Sequence, residues 1–336
     1  MIDVHLHAMP GRYRAALITA FGTGVRTPKW NPPLALEFMD RCGVSSAILS
    51  LSAPGTHFGD DDHASLLSRG VNDEFAQLCV ESARFGAFAT LPLPAVKLAC
   101  AEAERVLGDL KLDGISLQTS YNGIYLGDPT YDPLLEVLDA HSAVVLIHPS
   151  PSTASKSVGL NIPVFAVEYP FETTRAVVNL VFADVAERFP NIRFILSHGG
   201  GVIPFLSWRI AAIAAHQLSL PSDVEGSMAS SFPTRLVDRA GQLSISDTRS
   251  LLRNFYFDVA LTGDAAGLGA LLEFAGEDRV LFGSDWPYAH DRIVNDQLAS
   301  MDDPEVIPIE ARKRIGRAAA TSLFPRLKTK TKVEHL

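Results

Sequence analysis

The chain has 336 residues, of which 47% are hydrophobic and 20% are charged, and its formal net charge is −9. This share of apolar residues can build a large core and argues against an intrinsically disordered chain. The acidic balance disfavours electrostatic binding to nucleic acid or to an anionic membrane surface. We therefore expect a globular protein whose partners are neither nucleic acids nor membranes.

The amino-terminal sequence MIDVHLHAMP has neither the basic start nor the long apolar run of a signal peptide. No stretch supplies the roughly 18 consecutive apolar residues that a membrane span requires. Cys42, Cys79 and Cys100 are odd in number and lack the close spacing of a metal-binding motif, so a disulfide framework is not expected. These features predict a cytoplasmic protein with reduced thiols.

Short runs rich in Val, Ile, Leu and Phe recur along the chain, and a longer segment with helical spacing follows each run. The predicted strands cover residues 2–7, 47–52, 87–91, 114–118, 144–148, 193–198, 255–259 and 279–283. Their nearly continuous apolar character is typical of parallel strands that are covered on both faces. The alternation predicts one (β/α)8 TIM barrel over residues 1–325, followed by a basic tail over 326–336. A doubly wound open sheet is the alternative.

Two helices are indicated by their apolar stripes. Residues 33–42 place four apolar side chains on one face, and Gly43 follows as a stop, while a second stripe over 177–189 ends at Pro190.

The connections 8–30, 53–63 and 150–171 are long and follow strands, so we expect them to form loops that wall a pocket. The polar stretch 217–248 is expected to serve a subunit contact.

Histidine and aspartate residues stand at the carboxyl ends of four predicted strands. His5 and His7 are two apart on the first strand, so both side chains project from the same face. His148 ends the fifth strand, His198 ends the sixth, and Asp285 follows the eighth. Without a cation, such a buried cluster would leave several polar groups unsatisfied, each at a cost of about 1–3 kcal/mol. The pattern therefore predicts a metal site.

The same residues carry a family resemblance. The HxH of the first strand and the motifs IHP, SHGGG and GSDWP resemble the amidohydrolase superfamily. Within it they are similar to the branch of metal-dependent, non-oxidative decarboxylases typified by aminocarboxymuconate-semialdehyde decarboxylase. The segments LSLSAPG, FGAFATLP, YPFETTRA, FYFDVALTG and LFGSDWPYA are most similar to the 6-methylsalicylate decarboxylases of that branch. The resemblance spans roughly residues 1 to 325.

The resemblance implies a division of roles within the cluster. His5, His7, His148 and Asp285 become the ligands of one divalent cation per chain, with Zn²⁺ as the first expectation and Mn²⁺ as the second. His198 becomes the acid/base group beside the metal. Either Asp285 or His198 would deliver the proton of the reaction, and the sequence does not choose between them.

Further residues are assigned to substrate binding. Arg209 matches a position that in the muconate enzyme reaches into the neighbouring subunit to bind a substrate carboxylate, which implies a homodimer or a higher homo-oligomer. The muconate enzyme carries an arginine where this chain has Ala35, so the resemblance favours a less charged aromatic acid over a dicarboxylate. Aromatic residues in or beside the loops of the predicted mouth suit an apolar ring; these are Trp30, Phe171, Trp286 and Tyr288.

The resemblance implies decarboxylation of a 2-hydroxybenzoate-type acid such as 6-methylsalicylate. The alternative is a metal-dependent hydrolase of a lactone, an amide or a ring-cleavage product, because the same cation could generate a hydroxide nucleophile. Glu172 and Arg175, in the sequence FETTR, have two interpretations that stay open. They form either a surface ion pair at a helix start or a support for the pocket.

Overall fold

The computed structural model describes residues 1–152, 155, 157, 159, 161–218, 220, 223–225, 238, 239 and 241–327. Within them, eight parallel strands form one sheet whose spatial order follows the chain. The strands, β1 to β8, are Ile2–His7, Ser46–Ser50, Phe85–Thr90, Gly114–Gln118, Val144–His148, Arg193–Leu196, Tyr256–Asp258 and Val280–Leu281. All eight predicted strands are confirmed, although the last three are shorter than expected.

Backbone hydrogen bonds join β1 to the segment that follows β8. The N–H of Asp285 donates to the carbonyl of His5 (2.8 Å), and the N–H of His7 donates to the carbonyl of Trp286 (2.7 Å). A further bond runs from the N–H of Val4 to the carbonyl oxygen of residue 282 (3.0 Å). Because these bonds connect the first strand to the last, the sheet is a barrel and the open-sheet alternative is wrong.

Helices surround the barrel. Those that are described over their whole length, α1 to α13, are Gly11–Phe21, Pro32–Arg41, Asp61–Glu81, Val96–Glu104, Asp132–Ala140, Val164–Phe182, Val185–Arg188, Ile203–Ile213, Ile245–Arg253, Ala265–Ala275, Asp291–Asp302, Ile309–Lys313 and Ala319–Leu323. The helix predicted over 33–42 is α2. It begins one residue earlier because the side chain of Asn31 accepts a hydrogen bond from the N–H of Leu34 (2.9 Å) and caps it.

Three of the predicted loops are partly helical, and there the prediction was wrong. Helix α1 lies within 8–30, α3 begins at Asp61 and α6 begins at Val164. Nothing local marks the start of α1 or α6, because neither has a side-chain cap or an acidic residue in its first turn. The predicted subunit contact over 217–248 lies largely outside the described residues.

The carboxyl-terminal helices seal one end of the barrel. Alternate strand residues and residues of the last helices share a single buried cluster: Ile2, Val4, Ile48, Phe88, Val144, Leu146, Ile195, Leu281, Ala319, Ala320, Leu323, Phe324 and Leu327. Arg326 pairs with Asp113 just before β4. The boundary between the barrel and its basic tail stays a prediction, since residues 328–336 lie outside the described part.

Two further expectations concern membranes and thiols. No helix among the described residues is both long and apolar enough to cross a lipid bilayer. Cys42, Cys79 and Cys100 all lie within the described residues, and no disulfide joins them.

A substitution at Gly114 tests how tightly the barrel strands are packed. A Cβ atom at this position of β4 would lie 2.1 Å from the carbonyl oxygen of Val144 on the adjacent strand. We therefore expect Gly114→Ala to lower the free energy of unfolding by about 1–3 kcal/mol, as measured by urea denaturation. Gly269→Ala is the matched control, because its Cβ would meet nothing within 4 Å in helix α10. Equal stability of both variants would contradict this account.

Candidate metal centre and active site

The backbone that carries the first two histidines is fixed by a buried carboxylate. The pairing of β1 with β2 shifts register between Asp3 and Leu6. At this irregularity, Oδ1 of Asp3 accepts hydrogen bonds from the N–H of His5 (2.9 Å) and from the N–H of Ser284 (3.1 Å). Burial raises the pKa of Asp3 to about 6, and these hydrogen bonds limit the rise. Asp3 thus ties β1 to the segment after β8.

The five predicted residues come together as one buried cluster at the carboxyl ends of the strands. Nε2 of His7 lies 3.1 Å from Nε2 of His5 and 3.2 Å from Nε2 of His148. Oδ1 of Asp285 lies 3.1 Å from Nε2 of His7 and 3.5 Å from Nε2 of His5. Donor atoms bound at about 2.1 Å to one tetrahedral ion stand roughly 3.4 Å apart, so this spacing suits a shared cation.

Outer partners aim the imidazoles at one another. Nδ1 of His148 donates to the carbonyl of Pro149 (2.9 Å), which leaves the Nε2 lone pair of the neutral ring directed at the cluster. Nδ1 of His5 bonds to Oδ2 of Asp258 (2.8 Å), a carboxylate–histidine pair of the kind that orients metal ligands. Ring nitrogens that converge in this way repel each other unless a positive charge lies between them. The donor set therefore fits a divalent cation.

Burial and the neighbouring charges set the protonation states of the centre. Burial lowers the pKa of His148 well below its ordinary value and also lowers the pKa of His7. Burial would raise the pKa of Asp285, but the neighbouring histidines outweigh burial and hold that pKa well below the usual range. For His5, the Asp258 carboxylate outweighs burial and raises the pKa to about 9. The centre thus combines the neutral imidazoles of His7 and His148 with an anionic Asp285. His5 is protonated at neutral pH and must release that proton when it binds a cation.

His198 is held by its backbone rather than by its ring. Its N–H donates to Oδ1 of Asp258 (3.0 Å), and its φ of +57° opens the HGGG loop after β6. Both ring nitrogens are buried, and neither has a hydrogen-bond partner among the described residues. Nε2 lies 3.6 Å from Oδ2 of Asp285, and one donor atom from each of His5, His148, His198 and Asp285 falls in a group spanning 4.8 Å. The ring is available to the metal or to a substrate.

Two further residues lie at this centre, although neither was predicted as a site residue from the sequence. Asp258, the last residue of β7, bonds to both His5 and His198, and its position at a strand end was a signal equal to that of His148. Tyr169 lies in helix α6 with its ring 6.2 Å from the ring of His148, where a loop was expected. No local pattern pointed to it.

The predicted substrate-binding residues lie in different environments, and only some of them face the cluster or the solvent. Tyr288 lies beside the cluster, with its ring 5.3 Å from that of His7, and Phe171 is 40% exposed on α6. The side chain of Trp286 is buried and stacks on a core phenylalanine, and its Nε1 donates to the carboxylate of residue 291 (3.0 Å). Trp30 packs partly buried against the core. Arg209 is exposed on α8.

Glu172 is fully buried, so the interpretation of a surface ion pair does not hold for it. Its carboxylate accepts hydrogen bonds from the hydroxyls of Tyr125 (2.6 Å) and Ser152 (2.7 Å) and from Nη1 of Arg175 (2.7 Å). Tyr125 belongs to a short hairpin after β4, and Ser152 follows β5. Glu172 therefore ties helix α6 to the loops of two neighbouring strands, beside the cluster.

A family model described as amidohydrolase matches residues 2–326. The chain belongs to the amidohydrolase family. A decarboxylase of Aspergillus niger is 36% identical to this amidohydrolase over 97% of the chain and 87% of the relative. The 6-methylsalicylic acid decarboxylase of Penicillium expansum is 33% identical over 97% of both. A solved amidohydrolase II structure has a TM-score of 0.83 at 27% identity and covers 96% of this chain and 99% of its own. The resemblance predicted from the motifs is confirmed.

Asp258 offers a test of the metal centre of this amidohydrolase. We expect Asp258→Asn to weaken zinc binding by about 10- to 100-fold, because the amide no longer stabilises the orientation and basicity of His5. Competition with a chromogenic chelator measures the dissociation constant. Asp264→Asn is the control, since Asp264 caps helix α10 and asparagine also caps helices well. Zinc binding by Asp258→Asn as tight as that of the wild type would contradict the role of Asp258.

Proposed function

We propose that the protein is a carboxy-lyase that removes carbon dioxide, without an oxidant, from a small aromatic acid of the 2-hydroxybenzoate type, such as 6-methylsalicylate. The observation that carries this proposal is the intact buried cluster of four histidines and one aspartate. It occurs in a chain that matches a 6-methylsalicylic acid decarboxylase along 97% of its length. The comparisons give no support to the hydrolase alternative.

We assign His5, His7, His148 and Asp285 as the ligands of one divalent cation. Three imidazole nitrogens and one carboxylate oxygen form a donor set that Zn²⁺ binds well, and Mn²⁺ is the second choice. When bound, the cation would supply positive charge that attracts the carboxylate of the substrate. The reduced cysteines suit the cytoplasm, where we place the enzyme.

Decarboxylation requires a proton at the ring carbon that carries the carboxylate. Once this carbon is protonated, its bond to the carboxylate breaks, carbon dioxide leaves, and the bonding electrons restore the aromatic ring. Asp285 and His198 are the two candidate donors, with 3.6 Å between Oδ2 and Nε2. Asp285 is an anion in the free protein because its pKa is low, so it must gain a proton on substrate binding before it can donate one.

The aromatic residues of the mouth would contact the substrate ring. We propose Tyr288 and Phe171 as direct contacts because they lie beside the cluster or on the helix that carries Tyr169. Trp30 and Trp286 would support that pocket from behind, since both pack against the core. Arg209 would act across a homodimer interface. Its helix also exposes 87% of Phe205 and 63% of Trp208, an apolar surface that a second copy would cover.

A substrate panel distinguishes lyase from hydrolase. Incubation of the zinc- or manganese-loaded protein with 6-methylsalicylate and other 2-hydroxybenzoates is expected to release carbon dioxide and the corresponding phenol in equal amounts. Chromatography and carbon dioxide trapping measure both products, and the chelator-treated protein is the control. Consumption of only esters, lactones or amides would reject the lyase.

Replacement of Asp285 tests the proton-handling residues. We expect Asp285→Asn to reduce kcat by at least about 10²-fold, because the amide cannot carry a proton to the ring. The exposed Asp296→Asn, on α11, is the matched control and should retain kcat. Metal content is measured in parallel. Wild-type turnover by Asp285→Asn would remove this residue from the mechanism.

A further inference from the structure

Two tyrosines from separate elements face the metal-ligand cluster. The ring of Tyr288 stands edge-on to His7, with centroids 5.3 Å apart and an interplanar angle of 85°. The ring of Tyr169 stands edge-on to His148, with centroids 6.2 Å apart and an angle of 84°. The charge of Asp285 acts on both phenols. The two phenol rings therefore border the cluster, within electrostatic range of Asp285.

Among the described residues, no hydrogen bond involves the hydroxyl of Tyr169 or that of Tyr288. A phenol keeps its proton at neutral pH. Without an acceptor among the described residues, each phenol can donate its proton to a ligand.

Helix α6 holds Tyr169 in place through its neighbours. Oγ1 of Thr174 donates to the carbonyl of Pro170 (2.8 Å) and accepts from the N–H of Val202 (3.0 Å), just after the HGGG loop. One turn from Tyr169, Glu172 is bonded to the loops of β4 and β5. The phenol is thus fixed relative to the strands that carry His148 and His198, as a residue that recognises a substrate must be.

On the basis of the proposed function, we propose that Tyr169 and Tyr288 bind the ring hydroxyl of the substrate and thereby select 2-hydroxybenzoates over benzoates that lack it. Two neutral donors beside the Asp285 carboxylate suit an uncharged oxygen, whereas a second substrate carboxylate would be repelled by Asp285. A site built to hydrogen-bond a hydroxyl discriminates against the analogue without it.

Tyr169→Phe and Tyr288→Phe test this assignment because they retain the ring and remove only the hydroxyl. Each is expected to raise the dissociation constant of salicylate by about 3- to 10-fold and to leave that of benzoate unchanged. Isothermal titration of the zinc-loaded variants measures both ligands, with zinc content determined beforehand. Tyr256→Phe is the matched control. Tyr256 lies at the start of β7, with its ring centroid 4.7 Å from Cζ of Arg279. The Tyr256→Phe variant should bind salicylate and benzoate as tightly as the wild type does.

The outcomes separate this inference from the proposed function. Selective loss of salicylate affinity in both variants supports the pair of phenols. A wild type that decarboxylates 2-hydroxybenzoates, with variants that bind salicylate unchanged, overturns the inference alone. Equal losses for salicylate and benzoate also overturn it, since the phenols would then contact the carboxylate or shape the pocket. A wild type that neither binds nor converts these acids overturns the proposed function as well.

Discussion

The metal centre depends on the hydrogen bonds that join the first strand to the segment after the last one. His5 and Asp285 come from opposite ends of the sequence, yet the N–H of Asp285 donates to the carbonyl of His5 at 2.8 Å. Asp3 strengthens the same junction through the N–H groups of His5 and Ser284. Barrel closure and assembly of the cation site are therefore one event. The carboxylate of Asp285 cannot approach the histidines unless the backbone hydrogen bonds between β1 and the segment after β8 form.

Asp258 couples the two functions of the centre. One carboxylate oxygen holds the ring of His5, and the other accepts the N–H of His198. A displacement of this carboxylate would shift a proposed metal ligand and the candidate proton donor together. A single group at the end of β7 would thus set the spacing between the cation and the proton donor.

Much of the fold was predictable because periodic apolar runs reflect burial, which acts on every residue of a strand. The site was predictable for the same reason, since parallel strands bring His5, His7, His148, His198 and Asp285 to one end. Asp258 also stands at the carboxyl end of a strand, so it could have been predicted as a residue of the site. Helix α1 could not be predicted, because its start has no side-chain cap and its stability comes from packing rather than from local signals.

The directions of the aromatic side chains at the mouth of the barrel could not be predicted from the sequence. Trp286 and Tyr288 are both aromatic, lie two residues apart and follow the same strand. The structure stacks Trp286 on Phe38 with ring centroids 4.7 Å apart and leaves Tyr288 beside His7. That choice depends on α2, which is distant in sequence. Tyr169 likewise reaches the cluster from α6, whose Glu172 is bound by Tyr125 and Ser152.

The seal at the far end of the barrel constrains how the protein is made. Ile2 and Val4 share a buried cluster with Leu323, Phe324 and Leu327, near the carboxyl terminus. The first strand therefore lacks a partner on one side until the segment after β8 has been synthesised. His5 and His7 precede their carboxylate partner Asp285 by almost 280 residues. A fragment that ends before Asp285 consequently lacks one of the four proposed ligands.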